Sequence, residues 1–139
     1  MREILFRGKD FSGVLSRSWI FGSLDTTEKE YPSIIYLDRF GNRCRIFVDP
    51  KTVGQYTGLT DKNGKKIFEG DIIKQINSYD KLEMTGFVRF SKSSQFVISH
   101  TYTEKENCYK REMKKAFAIK TNCEIIGNIY DNPELLEVE

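Results

Sequence analysis

The sequence predicts a mainly β fold: a small two-lobed β-protein with an SH3-like barrel in its C-terminal part and at most short helices. Three observations carry this expectation. Aromatic residues make up 13% of the 139 residues, a share that suits strands, which favour flat and β-branched side chains. Helical spacing of apolar residues is scarce along the chain. Short apolar or alternating runs recur instead, cut by Gly, Asn and Asp, which is the pattern of a many-stranded small domain.

The first run, Ile4-Leu5-Phe6-Arg7, ends at Gly8-Lys9-Asp10, and the second is Trp19 to Leu24. After Tyr31-Pro32 come Ser33 to Leu37, the break Asp38-Arg39-Phe40-Gly41-Asn42, and the alternating run Arg43 to Val48. Two runs joined by a short Gly/Asn link read as a hairpin. Asp49-Pro50 then closes the first lobe, because proline cannot donate a ladder bond and pushes the residue before it away from helix. This divides the chain into residues 1–50 and 51–139, one continuous unit with two lobes.

In the second lobe, Thr52 to Leu59 is a strand or loop with two glycines. Asp61-Lys62-Asn63-Gly64-Lys65 contains Asn-Gly, the strongest short turn signal in the chain. Ile67-Phe68 precede a second turn, Glu69-Gly70-Asp71, and Ile72 to Ile76 is a strand. Asn77 to Glu83 reads as a polar loop. Gly86 to Phe90 and Gln95 to Ser99 flank the link Ser91-Lys92-Ser93-Ser94 as another hairpin. Thr101 to Lys115 is strongly polar and reads as an exposed loop or short helix. Glu124 to Tyr130 is the last strand and contains Gly127-Asn128. Asp131-Asn132-Pro133-Glu134 supplies a cap, a proline and an acidic first turn for a brief helix. Short strands joined by one long, one intermediate and one tight connection suggest the small barrel.

Composition bounds the function. Hydrophobic residues at 39% suffice for a core, and 30% charged residues of mixed sign leave a net charge of only +2. The pI of about 8.4 falls short of the value above roughly 9 that flags a nucleic-acid domain. The start of the chain lacks an apolar stretch of signal-peptide length, and no apolar run approaches the roughly 20 residues of a membrane span. Cys44, Cys108 and Cys123 are odd in number and widely spaced, as reduced thiols would be. A cytoplasmic protein without membrane contact is the expectation.

No catalytic, cofactor or metal site emerges. Glu69 and Asp71 are a carboxylate pair, but the turn reading gives Gly70 a positive φ, Asp71 a backbone donor to satisfy and Glu69 a place in water. Acid–base or metal chemistry would need a further convergent carboxylate. Asp61, Asn63 and Gly64 only superficially resemble a calcium loop, since the glycine and terminal glutamate of that motif are misplaced. His100, the only histidine, stands beside Ser99 and Thr101 with no nucleophile motif. The residues singled out are therefore structural turn positions: Asp61, Asn63, Gly64, Glu69, Gly70, Asp71, Gly127 and Asn128. Lys62, Lys65, Lys66 and Lys74, with Tyr56, Phe68 and Trp19 as stacking faces, raise nucleic-acid binding. So does the stretch from Lys105 to Lys120. Asp61, Glu69, Asp71, Glu104, Glu106 and Glu112 dilute the charge, and a solvated mixed face is favoured, because binding needs net positive potential.

Three segments resemble the YopX family: Arg2 to Lys9 with Trp19 to Leu24, Thr52 to Ile73, and Ile125 to Leu136. The middle one is long and specific. The resemblance implies a β-rich fold including an SH3-like barrel, carriage by phages and prophages, and a bacterial host cytoplasm. It supplies no catalytic residues, because the family has no assigned biochemical function. Thr26 to Asn42 and Asn77 to Lys115 fall outside the matching segments, and member-specific properties are expected there. The leading expectation is a non-enzymatic accessory protein that self-associates and binds a host or phage macromolecule. An SH3-like nucleic-acid module is the alternative, and a hydrolase using Glu69 and Asp71 a weaker one.

Overall fold

A computed structural model describes residues 3–28, 30–76, 81, 83–90, 96–106, 109–119 and 122–136; for 98–106 and 109–118 only the backbone course is described. The link 91–94, most of the loop 77–83 and Cys108 lie outside the described residues. The chain forms two compact units, residues 1–58 and 59–139. The division falls after Gly58, beyond the Asp49-Pro50 break.

The first unit is an antiparallel sheet. Its strands are β1 (Phe6–Lys9), β2 (Trp19–Asp25), β3 (Ser33–Leu37), β4 (Arg43–Phe47) and β5 (Gly54–Thr60), in the order β4-β3-β2-β1-β5. β5 runs through the division. Alternation along each strand sorts the faces. Leu24 registers with Ile34 and Ile34 with Ile46, so one row points to a core built on Ile20, Ile34 and Val48. Phe6, Leu15, Tyr36 and Val53 pack against that core. Gly22 leaves no room for a side chain, because a Cβ there would run into the Ile35 carbonyl oxygen. Asp49 caps a 3-10 turn over Pro50–Thr52 by accepting the Lys51 N–H at 3.0 Å. Thr52 Oγ1 in turn accepts the Lys9 N–H at 2.9 Å.

The second unit holds β6 (Lys66–Phe68), β7 (Asp71–Ile76), β8 (Glu83–Phe90), β9 (Phe96–Glu106), β10 (Tyr109–Ala118) and β11 (Cys123–Asn128). Five of these form an antiparallel sheet in the order β10-β9-β8-β7-β11. The core comprises Ile67, Ile73, Val88 and Cys123, with Phe96, Ile119 and Ile125 against it. Burying an isoleucine fully contributes about 1.5–3 kcal/mol, so Ile67 and Ile73, both at 0% exposure, anchor the unit. A register shift between Ile125 and Gly127 marks a bulge in β11.

Two sequence expectations change. The sheet is open, with β10 and β11 at opposite ends, and no closed barrel forms among the described residues. The mainly β class therefore stands without the barrel. Residues 101–106 and 109–115, expected within a loop or helix over 101–115, belong to β9 and β10, paired from Glu106↔Tyr109 to Val97↔Ala118. Their charge hid the strand pattern. The C-terminal helix is a single 3-10 turn, Pro133–Leu136.

Candidate functional site

The turn residues come first, because the structure brings most of them together around β7 and β11. Gly70 has φ +89°, closed to side chains that carry a Cβ, and a Cβ there would stand 2.8 Å from Tyr130 Cε2. Its N–H donates to the Val88 carbonyl and its carbonyl accepts the Ile129 N–H, both at 2.9 Å. Asp71, 3% exposed, accepts the Phe68 N–H at 2.8 Å through Oδ2. Its carboxylate thus closes the turn. Glu69 beside it is half-buried.

Asp61 works in the same way on a larger scale. Oδ1 accepts the N–H groups of Asn63 and Lys65, each at 2.9 Å, and Oδ2 accepts that of Ile125 at 3.2 Å. One carboxylate therefore ties the Asn63-Gly64 turn, where Gly64 has φ +80°, to β11. Burial pushes the Asp61 carboxyl up, but the N–H groups of Lys65, Ile125 and Asn63 outweigh it and hold the group below its ordinary 3.8. The same burial, with the Asp61 charge nearby, pushes the Cys123 thiol up. Farther along β11, Asn128 Oδ1 accepts the N–H groups of Tyr130 and Asp131. Asn132 Oδ1 would stand 2.6 Å from a Cβ on Gly127. These residues lie at turns, and the carboxylates of Asp61 and Asp71 are occupied by backbone donors.

Two carboxylates that sequence reasoning passed over behave alike. Asp10, 2% exposed, binds the Ser12 hydroxyl and the N–H groups of Ser12, Leu15 and Arg17. It holds a loop in which Ser16 and Arg17 both take positive φ, 56° and 59°. The Ser12 hydroxyl, together with the backbone donors and against burial, keeps Asp10 below the usual carboxylate range. Asp38 caps the β3–β4 turn through the N–H groups of Phe40 and Asn42. Among the described residues no group of three His, Cys, Asp or Glu side chains could hold a metal.

What remains open is an aromatic cleft in the first unit. Thr27, Glu28, Glu30, Tyr31 and Phe47 line about 630 Å³. The Phe11 ring stacks on Tyr31 with centroids 4.8 Å apart, and the Phe11 N–H donates to the Phe47 carbonyl at 2.9 Å. Phe11, Tyr31 and Phe47 are 51%, 38% and 41% exposed. At the end of β2, Asp25 accepts the Thr27 hydroxyl at 2.7 Å and pairs with Arg45 at 2.6 Å. Four of the five lining residues fall within Thr26 to Asn42, the one signal in the sequence that pointed here. The aromatic grouping itself was hidden, because Phe11, Tyr31 and Phe47 are distant along the chain. On the opposite side of β1 and β2 from the core, Arg7 and Lys9 stand over the Trp19 ring, at 4.4 and 5.5 Å from its centroid.

A family model described as YopX protein matches residues 16–137. A search of curated proteins finds no match. Among solved structures, the chain is similar to the crystal structure of protein EF1440 from Enterococcus faecalis. The two are 21% identical, with 99% of this chain and 100% of that one covered and a TM-score of 0.50. At that identity the likeness concerns the fold alone.

Proposed function

The chain belongs to the YopX family, and from that premise we propose that it is a non-enzymatic phage or prophage accessory protein that acts by binding, to itself and to a phage or host macromolecule. The observation that supports this reading is the exposed aromatic group Phe11, Tyr31 and Phe47 at an open cleft. Large apolar side chains clustered on a surface mark interaction sites, because leaving them in water is costly. Asp71 is buried and its carboxylate is spent on the Phe68 N–H, so the weaker reading of a hydrolase built on Glu69 and Asp71 gains no support from geometry. No helix among the described residues is long and apolar enough to cross a membrane. The same reading has it act in the cytoplasm of the bacterial host.

A nucleic-acid-binding module, without the SH3-like barrel expected from the sequence, is the second reading. Lys9 and Arg7 over Trp19, with Arg43 and Arg45 across the same sheet face, favour it. The test is twofold. Light scattering at micromolar concentration should give a mass above the monomer's 16.2 kDa, and affinity capture during infection or prophage induction should recover a defined protein partner. A strict monomer that captures only nucleic acid, with affinity falling steeply in salt, would replace the first reading by the second.

A further inference from the structure

We propose that the ribbon formed by β9 and β10 enters the major groove of duplex DNA, an inference that rests on the second reading above and gives it a surface of its own. β8 pairs with β9 only from Phe90↔Phe96 to Phe87↔Ser99. From His100↔Lys115 to Glu106↔Tyr109, β9 and β10 go on as two strands with no third beside them among the described residues. At a rise of ~3.3 Å per residue, this free ribbon runs on the order of 20 Å past the last β8 pair. A two-stranded ribbon is only marginally stable alone in water, so a partner that seats it completes the element.

The register sorts the charges. Along the sequence Glu104, Glu106 and Glu112 dilute the cations around them. Alternate residues of a strand share a face. Glu104 and Glu106 therefore fall on one face with Arg111 and Lys115, where two acids balance two bases and Glu104 stands opposite Arg111. The other face carries Thr101, Thr103, Lys105, Lys110, Glu112 and Lys114. Lys105 stands directly opposite Lys110, and like charges so placed destabilise a ribbon. Glu112, opposite Thr103, can offset one lysine of the three. The excess remains, and a polyanion laid along this face removes its cost. Residue types then choose the polyanion. A single strand is held by bases stacked on aromatic rings, and this face has none, because Tyr102 and Tyr109 belong to the other. The major groove of B-form DNA, ~12 Å wide, admits a two-stranded ribbon, whereas that of duplex RNA is too deep and narrow to be read. Thr101 and Thr103 supply hydroxyls for base edges, and the lysines supply cations for phosphates.

The test uses the full chain and a short fluorescent DNA duplex, followed by anisotropy across a salt series. Oligothymidylate, duplex RNA and polyglutamate serve as comparisons. Saturable binding of the DNA duplex, at least about tenfold tighter than of any comparison, is expected. Lys105→Gln with Lys110→Gln should weaken it about tenfold or more and lower the slope of log affinity against log salt by about 2. Arg111→Gln with Lys115→Gln removes the same charge from the other face and should change the affinity less than about threefold. Relieving an opposed lysine pair should leave the urea midpoint at or above the parent's, so lost binding is not lost folding. No duplex binding, an equal loss in the two double variants, or equal affinity for a comparison polyanion overturns the proposal. Duplex binding that ignores the β9 and β10 substitutions but falls in Lys9→Gln with Arg43→Gln keeps the second reading, on the first sheet, and overturns the ribbon. If no nucleic acid binds while the protein still self-associates and captures a protein partner, the first reading stands and the ribbon assignment falls.

Discussion

Gly70 shows what a single residue fixes. Its φ of +89° and the Tyr130 ring at 2.8 Å from any added Cβ are two separate objections to a side chain. Gly70→Val should therefore lower stability by about 2–4 kcal/mol, read as a urea midpoint, while Glu69→Gln stays within about 1 kcal/mol of the parent. A Gly70→Val protein as stable as the parent would undo the turn assignment. Asp61 adds a pH dependence. Its carboxyl lies below 3.8 in the folded protein, so its contribution is complete above that value and is lost as pH falls through the folded one. Asp61→Ala should cost about 2–4 kcal/mol at neutral pH and should flatten the acid limb of the urea midpoint against pH. These positions were legible in the sequence because turn chemistry is local: Asn63-Gly64 and Gly70-Asp71 declare themselves within a few residues. The Ile125 N–H on Asp61 was not, since 64 positions separate the two. Asp10 escaped for another reason. It looked like the end of a turn, and its donors at Leu15 and Arg17 carry no side-chain signature.

Elements were legible where one face is buried and the other wet. Arg43 to Phe47 alternates in sequence and in exposure alike, and β3 and β7 fall where apolar runs placed them. β10 was missed because lysine, arginine and glutamate crowd its positions, which removes the period of two that identifies a strand. The loop 11–17 is the element whose order depends most on one side chain. Asp10→Ala removes the acceptor that holds Leu15 and Arg17, while the backbone bridge from Asp10 to Val48 remains. The sheet should stay folded and the loop should open. Trypsin should then cut after Arg17 at least about tenfold faster than in the parent, as followed by mass spectrometry. Unchanged cleavage would show that the loop holds itself.

At the scale of the molecule, the mainly β class was legible from the aromatic share and the recurrence of short apolar runs. The open second sheet was not legible. Whether a run of strands closes on itself depends on strand lengths and register, and β9 and β10 pair along their length with each other. The thiols offer a whole-chain check. Cys44 and Cys123 are free, and Cys123 is buried with its thiol pushed up by that burial. In denaturant three thiols should titrate, Cys108 among them. Under native conditions Cys123 should react far more slowly than the half-buried Cys44. Recovery of one thiol in denaturant would mean a disulfide and count against the proposed cytoplasmic location.

The position of β11 governs how the second unit is made in time. β7, β8, β9 and β10 pair with their neighbours along the chain, so each can form as a local hairpin. β11 returns across residues 77–122 to the far side of β7. Closing so long a loop costs entropy before any contact repays it, which makes this step the slow one. Refolding should slow in Ile125→Ala by most of the stability lost, whereas Val88→Ala should act mainly on unfolding. On the ribosome the same strand emerges after all its partners. Until it arrives, β7 keeps an unpaired edge beside Ile72 and Ile73, and the growing chain carries a sticky seam that its own last strand must seal.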